Sequence, residues 1–275
     1  MANKLFHITA ITNLHVGSGK ENIGVVDNLI QRDVVTNLPV INSSSLKGAL
    51  REHCDGNKDN KVFVEFVFGS EPGGTKDNKR ETEPGGTKDN KRETTPGNYK
   101  FFDAHLLAIP ARSNQSPYYM VTCPMAINHY NETAKMFGIE VGITVPKKED
   151  VSTRENGGIY IEDFEYSELK TSEKIKKLIN SDVDVVVISD KDFIELCDDE
   201  HLPVIARNCL DSKNPNLWYE QVLPRFSVLY FPLIAAEKYF DDFKNAVTDT
   251  LVQIGANATI GYGFCKIEDK ISSNF

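Results

Sequence analysis

A glycine turn, a lone carboxylate and a basic helix start follow one another between residues 15 and 52. Gly17 and Gly19 give the backbone access to positive φ angles and to close approach by a ligand, and Ser18 adds a hydrogen-bond donor between them. The run Asn-Ser-Ser-Ser at 42–45 is typical of a helix N-terminus, where amide groups and the dipole favour phosphate. This order predicts a site that holds a phosphate chain.

The helix that should follow residue 45 carries two basic side chains on one face. Lys47 and Arg51 are four positions apart, so both should project outward together. The inward face would then be Leu46, Ala49, Leu50 and His53. A phosphate contact and an ordinary solvated face are both compatible with this pattern.

Asp27 interrupts the apolar run 25–30 and follows the glycine turn by only a few residues. A carboxylate there could bind a divalent metal against a phosphate or help a ribose hydroxyl to attack, and both are ordinary ways to cleave RNA. The alternative is a structural role, in which Asp27 caps a turn or pairs with Arg32. The residues alone favour the structural role, and His15 is ambiguous in the same way.

Several other chemical motifs fail on spacing. The GSGK at 17–20 lacks the first glycine of a P-loop and is followed by Glu21 instead of Ser or Thr. The aspartates between 182 and 192 do not match a calcium loop, because Val186 stands at a ligand position and no glycine follows. The five cysteines are widely spaced without a CxxC pair, which predicts reduced thiols.

Composition is typical of a globular protein with an acidic balance. The chain has 275 residues, 40% of them hydrophobic, and a net charge of -9, which argues against indiscriminate coating of nucleic acid. Local binding stays open, because segment 1–55 balances five basic against five acidic residues. No apolar stretch approaches the roughly 20 residues that span a bilayer, and the start lacks a secretory signal, so we expect a cytoplasmic protein without membrane contact.

The order of predicted elements favours an α+β fold. Strands are expected at 5–14, 62–68, 99–109, 159–166, 183–188 and after residue 263, with extended pieces at 23–30 and 34–41. Helices are expected after residue 45, at 172–180 and at 237–254, and a hairpin or loop at 208–219. This order predicts a single domain over 1–275 with a ferredoxin-like or RRM-like palm that carries large insertions.

A perfect tandem duplication separates two of these strands. EPGGTKDNKRET occupies 71–82 and again 83–94. Each copy has balanced charges and no apolar anchor, so burial cannot repay the entropy of ordering it. We expect a flexible surface loop over 71–97, with a charged arm that touches a partner as the alternative.

Eight segments together resemble one family. They are HVGSG, GVVDNLIQRD, LPVI, SSLKGALRE, FVFGS, FFDAHLLAIPARS, LWYEQVLP and IGANATIGYGF. In this order they resemble the repeated backbone subunit of the type III-B CRISPR effector, the Cmr complex, within the RAMP superfamily. The resemblance spans nearly the whole chain except the duplication. It implies an RRM-like palm, copies stacked along a guide RNA, and a thumb β-hairpin over 207–219 that distorts the guide–target duplex at regular intervals.

The resemblance also implies residue roles. Asp27 matches the residue that the family needs to cut target RNA with a divalent metal. The metal, Mg or Mn, would be bound only when RNA is present. This match outweighs the structural alternative for Asp27. Glu220 would lie near the cut, although Gln221 departs from the commoner WYEE pattern. The positions that match RNA contacts are His15, Ser18, Gly19, Ser45, Lys47, Gly48, Arg51, Arg207, Gly255, Gly261 and Gly263.

The implied partners are a CRISPR guide RNA, a complementary target RNA, further copies of the chain and other Cmr subunits. Two alternatives stay open: a guide-RNA scaffold that does not cleave, and the homologous backbone subunit of the type III-A complex. A guide-processing RAMP endonuclease fits less well, because the chain lacks an obvious His-Tyr acid–base pair.

Overall fold

The computed structural model describes residues 1–19, 24–56, 61–70, 94–209 and 216–270. The strands in these ranges are β1 Ala2–Ala10, β2 Val40–Ile41, β3 Lys100–Phe101, β4 Ala104–Ala111, β5 Tyr119–Thr122, β6 Arg154–Ile161, β7 Phe164–Tyr166, β8 Val185–Val187, β9 Val204–Cys209, β10 Asn216–Gln221, β11 Val228–Ala235, β12 Val252–Gln253 and β13 Phe264–Asp269. The α-helices are α1 Ser43–Asp55, α2 Lys61–Phe68, α3 Pro124–Met136, α4 Glu173–Leu178, α5 Asp190–Leu196 and α6 Phe240–Thr248.

One mixed sheet organises the molecule, with the strand order β12-β13-β1-β11-β4-β5-β8. Its pairings along this path are antiparallel except for β5 and β8, and β2 and β3 pair with β4 and β11 beside it. The four inner strands lie in the order β13-β1-β11-β4. Along the chain, α1 follows β1 and α6 precedes β13, which together with this strand order is typical of a ferredoxin-like palm. The predicted α+β fold class is confirmed.

Both faces of the sheet are covered, because β1 alternates two sets of apolar side chains. Phe6 belongs to the core cluster under α1, α2 and α6, and its ring lies 6.3 Å from that of Phe243. The neighbouring His7 points to the opposite face, where its Nε2 lies 3.0 Å from the hydroxyl of Tyr130 on α3. Burial lowers the pKa of His7 well below its ordinary value, and Lys270 lowers it further, so this histidine is a core residue.

Some predicted elements are wrong in type or length. Residues 62–68 form helix α2 instead of a strand, and their buried residues recur with helical spacing. The strand expected at 159–166 is a hairpin of β6 and β7. The extended piece expected at 34–41 contains a turn followed by the short strand β2.

The hairpin expected at 208–219 is longer than predicted. Strands β9 and β10 pair antiparallel in a sheet of their own, from Cys209 opposite Asn216 to Val204 opposite Gln221. Residues 210–215 lie outside the described part of the chain. Whether the hairpin acts as a thumb over 207–219 stays a prediction.

The duplicated insertion starts and ends at one place. Most of the predicted loop, 71–93, lies outside the described residues. On either side of it, Ser70 N donates to Thr95 O over 2.9 Å, and Gly69 pairs with Pro96. The palm therefore closes beneath the insertion.

The cysteines whose side chains are described, Cys54, Cys123, Cys197 and Cys265, are buried free thiols, as predicted. Burial is the main cause that raises the pKa of each thiol, to about 12 for Cys54 and Cys265. Among the described residues, no helix has the length and apolar character needed to cross a membrane.

The close packing around Gly263 gives a test of the fold. Gly263 has φ +76, and an added Cβ would overlap the carbonyl oxygen of Ile254. We expect Gly263→Ala to lower the free energy of unfolding, by about 1–3 kcal/mol from the backbone angle and by more from the overlap. Urea unfolding measures the change.

The matched control is Gly138→Ala, because Gly138 also has a positive φ (+67) but no neighbour within 4 Å of an added Cβ. It should be affected only by the backbone angle. Equal losses for both variants would contradict the packing argument.

Candidate RNA-binding and cleavage site

Asp27 is exposed and fixed against strand β10. The amide of Tyr219 donates to Asp27 Oδ2 over 2.7 Å, and the carbonyl of Tyr219 accepts the amides of Asp27 and Asn28, each over 3.1 Å. The amide of Gln221 then donates to Asn28 O over 2.9 Å. The carboxylate therefore sits at the base of the hairpin, attached through backbone contacts.

Arg32, the partner of Asp27 in the structural alternative, pairs with a different carboxylate. Arg32 pairs with Asp199 over 2.7 Å and also donates to the carbonyl of Cys197. The alternative in which Asp27 pairs with Arg32 is therefore wrong. The bond to Tyr219 joins residues 192 positions apart, so it does not cap a local turn either.

The glycine turn lies beside the segment that carries Asp27. Ser18 N donates to Leu29 O over 2.8 Å, and Gly17 pairs with Ile30. Gly19 is exposed with φ +71, and no described residue lies within 4 Å of an added Cβ, so the described part of the chain leaves this face open. The structure thus brings together the turn and the carboxylate that the sequence predicts to share a phosphate chain.

Gln31, which sequence reasoning missed, connects the turn to helix α1. Its Nε2 donates to Gly17 O over 3.2 Å and to Ser45 Oγ over 2.9 Å. Its Oε1 accepts the amide of Asn42 over 2.8 Å. One buried amide side chain therefore sets the distance between the two predicted phosphate-binding features.

The N-terminus of α1 is partly occupied, unlike the free set of amides that the sequence predicts. Asn42 makes no side-chain cap, and the amide of Ser43 donates instead to Asp103 Oδ1 over 2.6 Å. The amides of Ser44 and Ser45 have no partner among the described residues. Asp103 adds a negative charge at this end, so phosphate affinity here would depend on the basic face further along the helix.

The three residues predicted to contact RNA from the basic face of α1 have different surroundings. Lys47 is half-buried and has no ion-pair partner among the described residues. Gly48 is exposed in the helix interior, and an added Cβ would meet no atom of the described residues within 4 Å. Arg51 donates to the carbonyl of Gly69 over 2.9 Å and so caps the end of α2. The prediction of inward-facing Leu46 and Leu50 is confirmed.

Glu220 is buried, with three donors around its carboxylate. Trp218 Nε1 donates to Oε1 over 2.8 Å, while Arg207 Nη1 and Asn257 Nδ2 donate to Oε2 over 3.0 and 2.8 Å. Burial raises the pKa of Glu220, but the bonds from Trp218 and Arg207 and the charge of Arg207 outweigh it, so the pKa lies below its ordinary value. Glu220 therefore joins both hairpin strands to the loop that carries Asn257.

Arg207, a predicted RNA contact, uses its guanidinium group for contacts within the chain. Besides the bond to Glu220, its guanidinium carbon lies 5.5 Å from the ring centroid of Trp218. Sequence reasoning missed Asn257, because only its spatial neighbour Glu220 reveals its role. Contact of Arg207 with RNA stays a prediction.

His15 packs against the glycine-rich loop, which spans residues 255–263. His15 is buried, and its Nδ1 lies 2.6 Å from the carbonyl oxygen of Gln221, to which the ring donates. The carbonyl of His15 accepts the amide of Ala256 over 2.9 Å. A Cβ on Gly255 would overlap that same carbonyl, and Gly261 has φ +83. These residues have structural reasons of their own, and their RNA contacts stay predictions.

A divalent metal would find one accessible carboxylate here. Groups of three or more His, Cys, Asp and Glu suited to a metal do not occur in the described ranges. Both oxygens of Glu220 already accept hydrogen bonds, whereas Asp27 is exposed. Since Mg²⁺ often takes one or two carboxylates together with substrate phosphates and water, the residues fit a metal shared between Asp27 and RNA.

Comparison with known proteins places this geometry in context. The chain is 25% identical over 313 residues to the CRISPR system Cmr endoribonuclease Cmr4 of Pyrococcus furiosus, and the match covers 98% of this chain and 96% of that protein. The fold is similar to oligomeric Cmr4 from Pyrococcus furiosus, with a TM-score of 0.70, 20% identity and 98% of each chain covered. It is equally similar to a chain of the type III-B Cmr-beta complex bound to cognate target RNA, with a TM-score of 0.70, 20% identity, and 98% of this chain and 97% of that chain covered.

The family model of the RAMP superfamily matches residues 7–266. This range begins within β1 and ends within β13, so it includes most of the palm together with the hairpin and the loop after β12. The chain therefore belongs to the RAMP superfamily.

Proposed function

We propose that this chain is a repeated backbone subunit of a type III-B CRISPR effector, which binds a guide RNA and cleaves complementary target RNA. The name of the Pyrococcus furiosus relative, a Cmr endoribonuclease, supports the activity, and the relative in the complex with cognate target RNA supports the substrate. The observation that carries the proposal is the exposed carboxylate of Asp27, fixed by the amide of Tyr219 beside the glycine turn.

The basic face of α1 and the glycine turn would hold the guide strand. Lys47 supplies a charge without an ion-pair partner among the described residues, and Gly48 lets a sugar–phosphate backbone approach the helix closely. Strand β10, which fixes Asp27, is one of the two strands of the hairpin. The hairpin would therefore separate the paired bases next to the carboxylate. Binding and cutting would then use neighbouring but different residues.

For cleavage, the hairpin would displace a target nucleotide and leave its 2′-hydroxyl in line with the adjacent phosphate. The 2′-oxygen bonds to phosphorus, the bond to the 5′-oxygen breaks, Asp27 takes the proton of the 2′-hydroxyl, and water protonates the leaving oxygen. A divalent metal held by Asp27 and the RNA would neutralise the charge that develops on the phosphate. Glu220 acts on this step only by holding the hairpin.

Asp27→Asn tests the catalytic role. Asparagine keeps the size and the acceptor for the amide of Tyr219, so assembly on guide RNA should be unchanged while target cleavage falls by about 10²- to 10⁴-fold. The assay follows labelled complementary RNA with Mg²⁺, with Mn²⁺ and with EDTA, and the wild type should give evenly spaced products only with metal.

Glu140→Gln is the control, because Glu140 is also exposed, and its neighbours Ile139 and Val141 pack against the core cluster beneath α3. The segment that carries Asp27 packs instead through Ile30 against the other core cluster. Normal cutting by Asp27→Asn would overturn the catalytic assignment. An intact target with the wild-type complex and metal would indicate a scaffold that does not cleave.

Gly48→Ala tests whether the guide runs along α1. Alanine should raise the free energy of unfolding by roughly 0.5–1 kcal/mol, since it replaces an exposed helical glycine. Yet the methyl group should weaken guide binding, because it occupies the surface on which the RNA backbone would lie. Urea unfolding and RNA titrations at several salt concentrations measure the two effects; higher stability with unchanged affinity would remove Gly48 from the interface.

Lys47→Ala should reduce the salt dependence of guide binding by about one phosphate contact. Lys61→Ala is its control, because Lys61 is an exposed lysine on the adjacent helix α2. Arg51 is less suitable for this test, since its loss would also uncap α2 at Gly69. An unchanged salt slope for Lys47→Ala would place the guide elsewhere.

Glu220→Gln tests the attachment of the hairpin. The carboxamide NH₂ would face at least one of the donors of Trp218, Arg207 and Asn257, so the free energy of unfolding should fall by about 1–3 kcal/mol. Because the folded-state pKa of Glu220 is lowered, the stabilisation is present above the unfolded value of about 4.3 and is lost as the pH falls through the folded value.

The gap between the wild type and Glu220→Gln should therefore be largest above about pH 5 and should shrink on acidification. Urea unfolding at a series of pH values measures it. A gap that does not change with pH would show that the ionised carboxylate is not what holds the hairpin.

A further inference from the structure

A cavity of about 610 Å³ opens beside the base of the hairpin, and Asp27 is not one of the residues that line it. Its walls come from the ends of β4 and β5, the β6–β7 hairpin, and the segments that lead into β9 and out of β10. This volume is in the range of small-molecule sites, and its lining is mainly apolar with a few polar groups at the rim. None of the residues predicted to bind RNA lines it.

Two aromatic rings form one wall of the cavity. Tyr118 and Phe226 stack with ring centroids 5.7 Å apart and an interplanar angle of 13°. Flat aromatic surfaces of this kind bind nucleobases regardless of sequence, because every base presents a π face. Because the facing sides of the two rings are covered by each other, a base could stack only on an outer face of this pair, and the cavity has the size for one base.

The backbone holds this wall in an unfavourable conformation. Phe226 has φ +75, which is strained for a bulky side chain, and Glu162 across the cavity has φ +47. Of the described non-glycine residues with positive φ, these two and Tyr239 are those that are not asparagine. Strain of this kind persists where the surrounding structure enforces it, and it is concentrated at functional sites.

The rim carries one uncompensated positive charge. Arg112 Nε and Nη2 both donate to Glu162 Oε2, over 2.9 and 2.6 Å, and His201 pairs with Asp198. Arg225 is exposed, its guanidinium carbon lies 5.0 Å from the centroid of Phe226, and it has no ion-pair partner among the described residues. A phosphate attached to a base in the cavity would find this guanidinium free to bind it.

The cavity adjoins the segment that leads to the glycine turn. The amide of Arg225 donates to Asn13 Oδ1 over 3.1 Å, and the carbonyl of Asn13 accepts the amide of Gly263 over 2.9 Å. Leu14, the next residue, pairs with Leu223. One short stretch of backbone therefore borders the proposed RNA surface on one side and the cavity on the other.

We propose that this cavity binds a single unpaired nucleotide of RNA, with the base against Tyr118 and Phe226 and the phosphate on Arg225. The inference rests on the proposed RNA-binding function and adds a nucleotide site distinct from the cleavage site. It predicts binding of a base with a phosphate, and little binding of the sugar phosphate alone.

The first test titrates the full chain with 5′-UMP, 5′-AMP and ribose 5-phosphate by NMR or calorimetry. The two nucleotides should saturate one site, and ribose 5-phosphate should bind at least tenfold more weakly. Phe226→Gly should weaken nucleotide binding at least tenfold while the chain stays folded, since glycine suits a positive φ. Arg225→Gln should weaken it about three- to tenfold, and the exposed control Lys174→Gln should leave it unchanged.

The second test assembles the complex on guide and target RNA that contain 4-thiouridine and maps the photo-crosslinks. Crosslinks to Tyr118 or to residues 224–226, lost in Phe226→Gly, would support the proposal. Failure of nucleotides to saturate the site, or crosslinks confined to other peptides, would overturn it. If Tyr118 becomes protected when copies of the chain associate without RNA, and no crosslink forms at Tyr118, the cavity would be a contact between copies. That result would overturn the nucleotide proposal.

These outcomes are separable from the proposed cleavage. Asp27→Asn should reduce cutting by about 10²- to 10⁴-fold and leave mononucleotide binding unchanged. If the wild-type complex cuts target RNA normally but the cavity binds no nucleotide, only the cavity inference fails.

Discussion

A buried carboxylate must be surrounded by donors, and this requirement on Glu220 determines the geometry of the site. Its three donors come from β9, from β10 and from the loop after β12, which are otherwise separate parts of the chain. Once they converge, β10 is fixed, and with it the amide and carbonyl of Tyr219 that hold Asp27. Asp27 can therefore stay exposed and still be rigidly placed.

A second set of contacts works in the same way on the guide side. Gln31 binds the glycine turn and the start of α1 at once, and Asp103 caps the first amide of that helix. Polar side chains inside the molecule thus set the spacing, while some of the residues proposed to meet RNA face outward with few internal contacts. Gly48 and Lys47 are the clearest examples.

Local patterns in the sequence predict much of this architecture. Strand β1, helix α1 and the final strand follow from alternation, capping residues and glycine positions, and the ordered motifs indicate the RAMP family that its family model then matches. The segment 62–68 was predicted wrongly because a short, almost wholly apolar run has no periodicity that separates a strand from a buried helix.

The long-range polar contacts could not be predicted. Asn257 and Glu220 are 37 residues apart, Asp103 and Ser43 are 60 apart, and the residues around each of them do not indicate the partner. Arg207 and Arg51 look like free RNA contacts in the sequence for the same reason. Their acceptors within the molecule belong to other elements, which the local sequence does not reveal. Pairing of this kind is known only once the topology brings the elements together.

The closure beneath the duplicated insertion has an evolutionary consequence. Because Ser70 and Thr95 are hydrogen bonded and Gly69 pairs with Pro96, the described residues on the two sides of the insertion meet in a narrow neck. Lengthening a loop between fixed ends changes the closure entropy only slowly, by about 0.6 kcal/mol for each doubling. Slippage during replication can therefore add or delete whole twelve-residue copies of EPGGTKDNKRET in frame without disturbing the sheet. The neck makes this part of the gene a place where length can drift under weak selection for stability.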